Sequence, residues 1–107
     1  MCSFQTLYFS DNGYVVRCHE CGHYQIGFAS TMLTLQADEL TALHSLVTLQ
    51  VETGSGCENE NIKNTIIPTP YKGASLLLTV LELKQLHEML EEADTEAKAL
   101  SMMELFK

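Results

Sequence analysis

A chain of 107 residues, 46% of them hydrophobic and 19% charged, has the length and apolar content for one domain with its own core, and residues 1–107 are expected to form it. Fourteen acids against six bases leave a formal charge of -8, which repels phosphate backbones and anionic bilayers, so neither nucleic acid nor a membrane is an expected partner. The longest apolar run, at residues 76–81, is too short for a membrane span, and MCSFQTLYFSDNG lacks the basic and apolar regions of a secretory signal. A cytoplasmic, reducing setting is therefore expected, where thiol or metal roles for cysteine outrank a disulfide framework.

In chain order, residues 4–9 and 14–18 are short aromatic and β-branched runs separated by SDNG, whose Asn12 and Gly13 suit a hairpin turn. A second reversal at HECG leads into Tyr24, Ile26 and Phe28, alternating with Gln25 and Gly27 at the period of a half-buried strand. Residues 32–35 predict a further strand, after which Leu40, Leu43, His44 and Val47 predict an amphipathic helix. Residues 49–53 read as extended and GSGCENEN, residues 54–61, as a loop.

Strand character returns at residues 62–69, with Pro68 and Pro70 pushing its end toward an edge or turn. After YKGA and residues 75–78, Thr79 with Glu82 three positions on is a capping box that starts a second helix. Its stripe runs through Leu83, Leu86, His87, Leu90, Ala93, Ala97 and Leu100. Asp94 and Thr95 are weak helix formers, so the pattern fits one long helix or two collinear ones, the second at about residues 94–106.

An internal repeat is visible at an offset of 43. Leu33/Leu76, Leu35/Leu78, Glu39/Glu82, Leu40/Leu83, Leu43/Leu86 and His44/His87 are identical, and Tyr24, Ile26 and Phe28 align with Ile67, Thr69 and Tyr71. The unit, strand–strand–helix, occupies about residues 14–48 and again 62–91, and one copy cannot bury its apolar face alone. The expected fold is α+β: a mainly antiparallel sheet with both helices on one face, pseudo two-fold symmetry, and the final helix outside it or against a second subunit.

The stretch RCHECGHYQIGF concentrates candidate chemistry. Cys18, Cys21 and Gly22 form C-x-x-C-G between two strands, the spacing of a zinc knuckle, and His23 can add an imidazole. A structural zinc site needs four ligands, and Cys2, Cys57, His44 or a second chain would have to complete it. The competing readings are a strand-to-strand turn, with Cys18 as a small hydrophobe beside Tyr14 and Val16, and a redox pair, which normally has its first cysteine at a helix N-terminus.

His44 and His87 occupy equivalent places on their helices, which suggests a paired site, or more simply packed histidines each with one hydrogen bond. Glu91, Glu92, Asp94 and Glu96 read as a solvated acidic face. Met102, Met103, Leu105 and Phe106 form an apolar end that closes the core or meets another chain. The chain carries no phosphate loop, GxSxG or HExxH motif.

The runs GYVVRCHECGHYQIGF, TMLTLQADEL and LLLTVLELKQLHEMLEEADTEAKA together resemble a family of small bacterial proteins known as a domain of unknown function. Cys18, Cys21, residues 24–28 and residues 76–94 match its identifying features, and the resemblance spans nearly the whole chain. It implies one intact domain and brings no activity, substrate or ligand. The expectation is a non-enzymatic module, a homodimer that binds another protein near its last helix, with zinc at Cys18, Cys21 and His23 stabilising the fold. The alternative is a thiol-dependent enzyme or redox protein using Cys18 and Cys21.

Overall fold

The computed structural model describes residues 3–53, 63 and 65–106. Strands β1 (Phe4–Ser10), β2 (Gly13–Cys18), β3 (Tyr24–Phe28) and β4 (Thr31–Leu35) follow one another as an antiparallel meander in sheet order β1-β2-β3-β4. Helix α1 (Ala37–Thr53) comes next, then the hairpin β5 (Thr65–Pro68) and β6 (Ser75–Leu78), and finally helix α2 (Val80–Glu104). The antiparallel, α+β character is as expected, with the strands distributed over a four-stranded and a two-stranded sheet.

Alternation decides the faces. Val15 pairs with Ile26 and Ile26 with Leu33, so these side chains share the inner face, where Phe28 and Leu35 join them. Leu43 and Val47 from α1, Leu83, Leu86, Met89, Leu90 and Ala93 from α2, and Ile67, Leu76 and Leu78 from the hairpin close over that layer as one core. The opposite face carries the row Phe9, Tyr14, Gly27, Met32 and, further along, Phe4 beside Cys18. Phe4, Phe9 and Met32 are exposed there.

The helix starts follow from local chemistry. Thr79 accepts a hydrogen bond from the Glu82 amide at 3.0 Å, and the Glu82 carboxylate accepts one from the Thr79 amide at 2.9 Å, completing the expected capping box. At α1 the Gln36 amide donates to Glu39 Oε1 at 2.8 Å, half of the same arrangement. The acid at the third helical position thus does the same work in both helices.

Two expectations change at the helix ends. Residues 49–53 are the last turn of α1 and not an extended segment, because Val51 continues the stripe of Leu43 and Val47 against the core and Thr53 Oγ1 donates back to the Leu49 carbonyl at 2.9 Å. The second helix is one continuous helix through Asp94 and Thr95, with no separate C-terminal helix at 94–106. Thr95 Oγ1 donates to the Glu91 carbonyl at 3.0 Å and Asp94 meets Lys98 at 2.9 Å, so both cap-forming side chains are occupied within the helix while Ala93 holds it to the core.

The order strand–strand–helix occurs twice, as β3-β4-α1 and β5-β6-α2, but the two hairpins lie in different sheets and their turns differ. Ala29 and Ser30 make a tight turn with Ala29 at φ 54°, whereas residues 69–74 form a longer one in which Thr69 Oγ1 donates to the Ala74 carbonyl at 2.7 Å and accepts from the Tyr71 amide at 3.2 Å. Leu33 faces Ile26 and Leu76 faces Ile67, so pairing equates Ile26 with Ile67. The alignment of Tyr24 with Ile67 at offset 43 is displaced by that longer turn. The expected loop at residues 54–61 lies outside the described residues.

Candidate functional site

Strand β2 ends at Cys18, which is 1% exposed, and the chain reverses before β3 starts at Tyr24. The Cys18 amide donates to the His23 carbonyl at 2.8 Å, and the Gly22 amide to the Cys18 carbonyl at 3.0 Å. Gly22 sits at φ 76°, the left-handed region that a side chain would strain. The turn aims the Cys21 amide at Cys18 Sγ, 3.4 Å away, a contact that stabilises charge on sulfur. The His19 amide donates to the Ser3 carbonyl at 3.0 Å, tying the start of the described chain to the same turn.

Cys18, Cys21 and His23, the three residues expected to hold metal, line one cavity of about 250 Å³ together with Phe4, Tyr24, Gln25 and Thr34. Of the two cysteines, Cys21 is exposed and Cys18 is buried. Of the residues that could complete the set, Cys2 and Cys57 lie outside the described residues. His44 is not among the residues lining this cavity and stands between the helices.

There, His44 on α1 and His87 on α2 bring their rings to a centroid separation of 6.3 Å with 57° between planes. Both Nε2 atoms approach the same oxygen, Glu91 Oε1, at 3.3 Å from His44 and 3.1 Å from His87. Glu91 lies off the line of the His87 ring N–H, so this buried nitrogen has no aligned hydrogen-bond partner among the described residues. The paired histidines were legible from their equivalent positions. Glu91 was not, because it reads as one acid of a solvated cluster; its spacing of four from His87 was the signal.

Glu82 is the carboxylate most clearly shifted from its ordinary range. Its hydrogen bond from Lys63 lowers its pKa most and the Thr79 amide next, burial opposes them, and the positive charge of Lys63 adds a smaller lowering effect. On the surface of α2, Lys98 is raised by its contact with Asp94.

Apolar side chains are uncovered in several regions, among them Leu49 on α1 and the cross-strand pair Ile66 and Leu77 on the hairpin, and two further groups stand out. One is the outer sheet face with Phe4, Phe9 and Met32; the other is the end of α2, where Met102, Met103, Leu105 and Phe106 are 62–85% exposed. Among the described residues no helix is long and apolar enough to cross a membrane. No curated protein and no solved structure matches the sequence. A family model does, over residues 1–106, and on that match the chain belongs to the family of unknown function DUF6686.

Proposed function

We propose that the chain is a non-enzymatic interaction module that pairs with a second copy of itself through the end of α2, its fold supported by a structural zinc ion at the Cys18/Cys21 turn. The observation that carries this reading is the uncovered apolar end, Met102, Met103, Leu105 and Phe106. The stripe is buried at Leu90 and Ala93, packed at the margin of the core at Ala97 and Leu100, and then continues into side chains left exposed by the described residues. A two-fold axis beside the helix ends gives each tail an identical apolar cover, as isologous pairing requires. Net charge -8 on each copy opposes this, so the apolar contact must exceed a repulsion that salt weakens.

The turn supports zinc through the amide at Cys18 Sγ and through the shared cavity of Cys18, Cys21 and His23. Burial closes Cys18 to disulfide exchange and leaves exposed Cys21 as the accessible thiol. The motif closes a strand without opening a helix, so neither cysteine sits at the helix N-terminus that activates such thiols. Iodoacetamide labelling of metal-free protein tests the enzyme alternative. Exposed Cys21 is expected to react before buried Cys18, and labelling of either faster than that of free cysteine at the same pH rejects the non-enzymatic reading.

Size exclusion with light scattering tests the pairing on the full chain and on a chain ending at Leu100, which keeps every residue of the core. The expected result is a dimer that becomes a monomer on truncation. A full-length monomer at the highest concentration reached rejects it.

A further inference from the structure

We propose that His44, His87 and Glu91 form a binding site for a divalent transition-metal ion of the zinc class, which ties α1 to α2. The site is separate from the cysteine turn and does not depend on self-association. Three features converge on it. The donor atoms come from two helices and all lie within 4.8 Å of one another. The separations of 3.3 and 3.1 Å from the histidine nitrogens to Glu91 Oε1 are close to the ligand edges, roughly 3.3–3.5 Å, of a tetrahedral ion with bonds of about 2.0–2.2 Å. His87 Nε2 is buried without an aligned hydrogen-bond partner among the described residues, which is costly for an N–H but is the state of a lone pair directed at an ion.

Donor chemistry sets the metal. Two imidazoles and one carboxylate favour zinc, cobalt or nickel over magnesium or calcium, which prefer all-oxygen sets. His87 and Glu91 stand one helical turn apart and project together, and the α1–α2 packing supplies His44 opposite them. Three protein ligands leave a fourth position. His44 and Glu91 also line an open groove with Ser45, Thr48 and Glu52, which gives an ion and a water molecule a way in.

Cobalt(II) titration of the full chain, followed by visible absorption, distinguishes this site from the cysteine turn, because only thiolate ligands give sulfur-to-cobalt charge transfer. A cobalt ion with d–d bands and no thiolate band is expected. Glu91→Gln and His44→Gln are each expected to weaken that ion at least about ten-fold while leaving any thiolate-bound cobalt unchanged. Glu91 is 51% exposed at its side chain, so Glu91→Gln retains the fold, which circular dichroism checks, and the amide still offers an oxygen to a hydrogen bond. Cobalt bound solely with thiolate character, or nitrogen/oxygen-bound cobalt whose affinity is unchanged in both variants, overturns the proposal and leaves a histidine–carboxylate contact.

Discussion

Gly27 lies beneath the Tyr14 ring, where an added Cβ would fall 2.2 Å from a ring carbon, so the residue is set by cross-strand packing. Gly27→Ala must displace an aromatic side chain and is expected to cost about 1–3 kcal/mol in chemical denaturation. Tyr14→Ala should remove most of that extra cost in the double variant, and additive effects would contradict the contact. At the turn, Cys21→Ser tests the thiolate reading: native mass spectrometry should show a zinc ion lost together with its cysteine-dependent share of stability. A zinc count per chain unchanged from that of the native protein contradicts the thiolate reading. The Gly27–Tyr14 contact was not legible as such, since a glycine in an alternating strand signals close approach without naming the neighbour. The cysteine turn was, because C-x-x-C-G between two apolar runs leaves few backbone paths, and Gly22 takes the left-handed one.

At the scale of elements, the start of α2 rests on Thr79 and Glu82. Thr79→Ala should lower stability by roughly 1 kcal/mol, as loss of an N-cap hydrogen bond does. Glu82 adds a pH dependence. Its pKa is lowered in the folded chain, chiefly by Lys63 and then by the Thr79 amide, so its contribution is fully present above the ordinary value of 4.5 and is lost as pH falls through the folded value. Thermal unfolding of the native chain and Glu82→Gln should therefore differ at neutral pH and converge under acid; a constant gap down to pH ~2 contradicts the linkage. This start was legible because the box is a local four-residue code. The end of α1 was not. Residues 49–53 alternate in a way that also fits a strand, and only Val51 meeting the core resolves it as helix. Asp94 and Thr95 misled for a related reason, since their capping tendency yields when Ala93, Ala97 and Leu100 have a core to reach.

For the whole molecule, the repeated leucines and histidines fix which helix faces point inward, while turn length decides how the hairpins register. That is why His44 and His87 meet as their positions suggest, although the upstream strands do not superpose at offset 43. The same view places the functional weight on what the core leaves uncovered. Seven acids and two lysines lie on α2, so pairing through its end brings like charges together around an apolar contact. Sedimentation equilibrium from low to high salt, on the native chain and on Met103→Glu/Phe106→Glu, tests that claim most directly. Self-association that tightens as salt screens the acids and is abolished in the double variant is the predicted result. A chain that stays monomeric at every salt concentration, or a dimer indifferent to those two charges, contradicts it.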